Sequence, residues 1–122
     1  MATLERLRRR ADFLRVAGGR RKWVAPGLIL QTLPRGDADP APVALRVGFT
    51  ASRKVGIAVV RNRARRRLRA AAAAVMPDHA AGGHDYVLIA RAATPSRPYA
   101  ELLGDLETAL RRLGTWRETS AA

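Results

Sequence analysis

The side chains best equipped for chemistry lie in residues 53–69: Arg53, Lys54, Arg61, Arg63, Arg65, Arg66, Arg67 and Arg69, with no acid among them. Guanidinium groups grip phosphates bidentately and stack on bases. The chemistry these side chains offer is therefore polyanion binding. At about 100° per residue, Ile57, Val60, Ala64, Leu68, Ala71 and Val75 fall within about 80° of arc, a core-facing helical stripe. Arg61, Arg65 and Arg69 climb one flank, Asn62 and Arg66 follow behind, and Arg63 with Arg67 edges the other side. No acid stands three or four residues from any of these arginines. Like charges at that spacing repel by roughly 0.2–0.5 kcal/mol per pair, so the counter-charge is expected on a partner.

Other candidate chemistry is thin. Asp78, His79, His84 and Asp85 flank a Gly-Gly loop and form the one cluster resembling a metal or acid–base site. It lacks a helix-spaced ligand pair, so an exposed connector is the plainer reading. Ser52 has no neighbouring His or acid to activate it, and the Gly48, Gly56 spacing is not a phosphate loop. A structural RNA-binding protein of ribosomal type shares the charge pattern, and a metal-dependent nuclease acting alone is a third reading.

The whole chain sets the frame for that segment. Its 122 residues fit a single domain, 1–122, with a net charge of +13 that favours polyanionic partners. Of the 23 cations only Lys22 and Lys54 are lysine. The absence of cysteine excludes disulfides and thiolate metal sites and fits a reducing compartment. No apolar run approaches the ~20 residues of a membrane span. The arginine-rich start has no apolar region behind it, and Glu5 and Asp12 argue against an organellar transit peptide.

The elements that position the basic helix follow in order. Residues 5–10 read as irregular, and 12–17 as a short helix with Asp12 at its start, ended by Gly18-Gly19. Residues 23–33 read as strand material broken at Pro26-Gly27, and 34–42 as a loop. Residues 43–52 alternate with a period of two through Val43, Leu45, Val47 and Phe49, so that 28–33 and 43–52 are expected to pair as an antiparallel hairpin. The basic helix is predicted from Ile57 to Met76, ended by Pro77, and 85–91 as a strand buried on both faces. Ser96 is a candidate cap for an amphipathic helix over 99–113, closed by Gly114, with 115–122 a frayed tail.

The ordered positions Arg53, Lys54, Gly56, Ala58, Val59, Arg61, Asn62, Arg63, Arg66 and Arg69 closely resemble the Arg-Asn-Arg signature of the bacterial ribonuclease P protein family. Residues 46–52, 85–91 and 11–16 resemble the strands around the signature and the family's first helix. The resemblance implies an α+β two-layer sandwich of order αβββαβα, with a four-stranded sheet and a left-handed βαβ crossover. The resemblance weakens at the two ends, and 1–10 and 115–122 are expected from their own residues to be flexible. The protein of this family does not itself cut. An RNA subunit with Mg2+ removes the 5′ leader of precursor tRNA in the cytoplasm, and the protein binds that RNA and the leader, with no membrane and no obligatory protein partner.

Carried over by position, Arg53, Lys54, Arg61, Asn62, Arg63, Arg66 and Arg69 would face the RNA subunit, with Arg65 added to them. Phe13, Arg15, Gln31, Phe49 and Ser52 would serve a leader cleft between the first helix and the sheet. Ala17 and Gln31 stand where relatives often carry aromatics, so stacking there is expected to be thinner. The resemblance assigns the protein no catalytic residue, metal or cofactor of its own.

Overall fold

The computed structural model describes residues 3–35 and 44–118. Nine elements follow one another: β1 (Thr3–Arg6), α1 (Arg10–Gly18), β2 (Lys22–Val24), β3 (Leu28–Pro34), β4 (Ala44–Thr50), a 3-10 turn (Arg53–Val55), α2 (Ala58–His79), β5 (His84–Ala90) and α3 (Tyr99–Arg112). The five strands order as β1-β4-β5-β3-β2. β5 takes the centre because both of its faces are apolar. Tyr86, Leu88 and Ala90 pack towards α2 and α3, and Val87 with Ile89 packs towards α1.

Strand pairing, strand number and the C-terminal tail differ from expectation. β3 and β4 do not form a hairpin: β5 lies between them, antiparallel to β3 and parallel to β4. An apolar strand that must be covered on both faces outcompetes the chain-adjacent pairing. The sheet has five strands, not four, because part of the charged N-terminus forms β1, parallel to β4. Leu4 packs on the main core and Leu7 on the smaller cluster under α1. In an extended chain a spacing of three places them on opposite faces. The C-terminal segment is also held as far as residue 118: Thr115 is buried and Trp116 bridges to Ala80. Most of the predicted 34–42 loop, and Val43, lie outside the described residues.

α2 and α3 cover one face of the sheet, where Leu68, Met76, Leu102, Leu106 and Leu110 are fully buried against β3, β4 and β5. Each such side chain contributes roughly 1.5–3 kcal/mol. α1 lies on the opposite face, sealed by Val16. Pro77 sits within α2, which continues to His79. The late carbonyls of that helix are taken up by the tail: Arg117 donates its side chain to Pro77 O at 3.2 Å and its N–H to His79 O at 2.6 Å. Ser96 does not cap α3. Pro98 occupies that position, after a run of turns in which Arg97 N–H bonds Ala93 O at 2.8 Å.

Candidate nucleic-acid interface

α2 carries the cationic surface. Ala64, Leu68, Ala71, Ala72, Val75 and Met76 face the core, a wider arc than the sequence stripe because α3 packs beside the C-terminal half. Ile57 does not belong to that stripe. It is the N-cap residue, in extended conformation, and is 73% exposed, so helical projection does not apply to it. Arg53, Lys54, Asn62, Arg63 and Arg66 are exposed, and Arg61, Arg65 and Arg69 are partly so. Arg65 donates to the Asn62 side chain. Among the described residues none of the α2 arginines pairs with a carboxylate, and the Nε atoms of Arg61, Arg67 and Arg69 have no hydrogen-bond partner.

The start of α2 adds to this field. Its first turn has neither an acid nor a side-chain cap, so its N–H groups and the positive end of the helix dipole remain available to anions. Gly56 makes the turn into it at φ +150, a conformation that L side chains rarely adopt, and a Cβ there would meet Val60 at 2.9 Å. Arg53 and Lys54 thus stand at a fixed entry to the helix.

On the other face, a cleft of about 470 Å3 runs between α1 and the sheet, lined by Arg8, Arg10, Phe13, Leu14, Ala17, Gln31, Phe49, Thr50, Val87 and Ile89. Thr50 and Ile89 lie near the carboxyl ends of parallel strands, where α/β sheets commonly bind ligands. The Phe13 ring forms part of the wall by lying on Gly48, where a Cβ would stand 2.6 Å from two ring carbons. Partly exposed aromatic surface flanked by two arginines suits an unpaired nucleotide chain, which needs stacking and phosphate contacts together.

Of the five residues expected in this cleft, Phe13, Gln31 and Phe49 line it, but Phe49 shares a strand face with Leu45 and Val47 and packs against the main core. Ser52 is exposed beyond the end of β4 and does not line the cleft. Arg15 is likewise outside it. Arg15 donates to Asp85, which is fully buried, and Arg46 Nε and Arg35 Nε lie 3.5 and 3.8 Å from the same carboxylate. Asp12 joins through Arg46 at 3.3 Å and Arg15 at 3.8 Å. A charge buried this deeply is tolerable because it is paired. Sequence reasoning passed over Arg8, Arg10, Thr50, Val87 and Ile89; charge next to an aromatic helix start was the available signal for the first two.

The His/Asp cluster does not assemble. His79 stacks on Trp116 at 4.2 Å, His84 contacts Gly82 O at 3.0 Å, and Asp85 belongs to the arginine network. Among the described residues no group of three or more His, Cys, Asp or Glu side chains could hold a metal, and no helix is long and apolar enough to cross a membrane. Burial pushes the Tyr86 hydroxyl far up from its ordinary value, so it stays protonated and donates to Ala81 O at 2.5 Å.

Comparison with known proteins places this arrangement. The family described as Ribonuclease P matches residues 1–114. The chain is 60% identical over 121 residues to the ribonuclease P protein component of Paramagnetospirillum magneticum, covering 99% of this chain and 91% of that one. It is 52% identical over 109 residues to that of Gluconacetobacter diazotrophicus, covering 89% and 90%. Among solved structures it resembles the RNase P protein of Staphylococcus aureus, with a TM-score of 0.74 at 23% identity over 92% of this chain and 97% of that one. The Thermotoga maritima protein gives 0.70 at 24% identity over 88% and 96%, so both likenesses speak for the fold. By its near full-length match to family and relatives, this chain belongs to the ribonuclease P protein family.

Proposed function

We propose that the chain binds the catalytic RNA of ribonuclease P through α2 and receives the single-stranded 5′ leader of precursor tRNA in the cleft between α1 and the sheet. Hydrolysis belongs to the RNA and its Mg2+; the protein supplies orientation and charge. The observation that carries this reading is the division of the surface. A convex row of arginines without carboxylate partners among the described residues lies on one side of the sheet, and a concave, part-aromatic cleft edged by Arg8 and Arg10 lies on the other. The first suits a structured polyanion and the second a flexible strand. Arg53, Lys54, Arg61, Asn62, Arg63, Arg65, Arg66 and Arg69 would meet the RNA subunit. Phe13 would stack on a leader base while Gln31 offers a hydrogen bond. Arg15 would act indirectly, by fixing α1 through Asp85.

The test is reconstitution with a bacterial ribonuclease P RNA at low Mg2+, following precursor-tRNA cleavage with each component alone and together. Stimulation of the RNA, with no cleavage by the protein alone, is the expected result. Binding without stimulation would point to a purely structural RNA-binding protein, and cleavage without RNA to a nuclease.

A further inference from the structure

A second concavity, of about 340 Å3, lies between α2 and the start of α3, lined by Arg63, Arg66, Arg67, Ala70 and Tyr99. Tyr99 opens α3 and is 42% exposed. Its hydroxyl makes no hydrogen bond to any described residue. Arg63 and Arg66 are exposed beside it with no acid among the described residues paired to them, and Glu101, two residues further on, does not line the groove.

The far wall is fixed without any ligand. Arg67 donates to the Arg97 carbonyl, tying α2 to the residues before α3. Arg97 in turn forks onto Asp105 at 2.7 and 3.1 Å, and that hydrogen bonding raises the Arg97 pKa. Asp105, nearly buried, also accepts the Gly27 N–H at 2.9 Å, and Thr94 donates to the Gly27 carbonyl at 2.6 Å. The chain on either side of Tyr99 is thus anchored through Arg97 and Asp105, so less order has to be imposed on the groove when a ring stacks there.

We propose that this groove is a second RNA contact, in which Tyr99 stacks on an unpaired nucleobase of the ribonuclease P RNA while Arg63 and Arg66 take the flanking phosphates. The inference rests on the reading that this RNA is the chain's partner. It assigns the groove to that RNA and not to the leader, because the leader cleft lies on the opposite face of the sheet. A second copy of a chain carrying +13 offers no complementary charge. Arg67 is a positioning residue here, since its guanidinium already serves the Arg97 carbonyl.

The test is equilibrium binding to the RNA subunit alone, with no precursor present, for the wild type, Tyr99→Phe, Tyr99→Leu and Tyr99→Ala. Tyr99→Phe should bind as the wild type, while the Leu and Ala variants should lose roughly five-fold or more, with the salt slope unchanged. Arg66→Ala should instead lower that slope by about 0.7–0.9. Tyr99→Leu keeps apolar bulk and helix propensity, so a loss common to Leu and Ala but absent in Phe reads the flat ring and not folding. Wild-type-like binding by the Leu and Ala variants would overturn the proposal. In a second arm, with leader-bearing and leaderless precursor added to the assembled complex, a Tyr99→Ala defect seen only with the leader-bearing precursor would likewise overturn it and make the leader the occupant. Failure of the wild type to bind the RNA at all would instead bring down the functional reading beneath it.

Discussion

On the α1 side of the sheet, Arg15 and Arg46 are drawn inward by Asp85 and Asp12, and Arg35 reaches the same buried carboxylate. On the α2 side, Arg61, Arg63, Arg65, Arg66 and Arg69 project from a helix none of whose arginines pairs with a carboxylate among the described residues. Identical side chains therefore do different work. Where a carboxylate is paired the guanidinium fastens one element to another, and where none is paired it stays at the surface. The contrast also separates the two candidate surfaces: the cleft is a concavity walled by Phe13 and edged by Arg8 and Arg10, and α2 is dominated by charge.

The largest effect should come from removing the carboxylate on the paired side. Asp85→Asn leaves three arginines around a neutral buried group. It should cost about 3–5 kcal/mol of folding stability in chemical melts, loosening α1 and with it the cleft. A loss below 1 kcal/mol would mean that solvent, and not Asp85, compensates these cations. The converse change is Arg61→Ala, Arg63→Ala and Arg66→Ala together. Melting should be unaltered within about 0.5 kcal/mol, while affinity for the RNA subunit falls by about 100-fold and the salt slope by about 2–3. Equal damage to melting and binding would erase the distinction between the two faces.

Smaller effects refine it. Phe13→Ala should weaken leader-bearing precursor by about ten-fold in the reconstituted complex, as expected for one lost base stack. Leaderless substrate and binding of the RNA subunit should be unchanged. Least of all, Trp116→Ala removes the ring between His79 and the Arg111 guanidinium, which lie 4.2 and 4.1 Å away. It should lower stability by about 1 kcal/mol without touching either RNA, a control outside both surfaces.

The cationic helix was legible in the sequence because its apolar spacing and its lack of acids are local properties. Asn62 and the arginines around it project as the helical period requires. Strand order was not legible. Nothing in residues 28–33 or 43–52 says that a strand forty residues further on will come between them, since that depends on how two-faced burial of Tyr86, Val87 and Leu88 is best satisfied. β1 was hidden because Leu4 and Leu7 are separated by charge and paired only by tertiary contact. The cleft was half legible. Phe13 could be placed on the inward side of a helix, but Arg15 could not be told from a ligand-facing arginine without knowing where Asp85 lies. Ile57 misled because the helical period was extended one residue beyond the helix.

The chain has no cysteine, so a single one can be placed at will. Ala17 lines the cleft and Ala70 lines the groove beside α2, and both are exposed. Ala17→Cys and Ala70→Cys, each carrying a short photo-crosslinker, should be assembled with the RNA subunit and a leader-bearing precursor and then irradiated. The expected result is that the Ala17 position labels the leader and the Ala70 position labels the RNA subunit. Labelling of one and the same RNA from both positions would contradict the assignment of two faces to two RNAs.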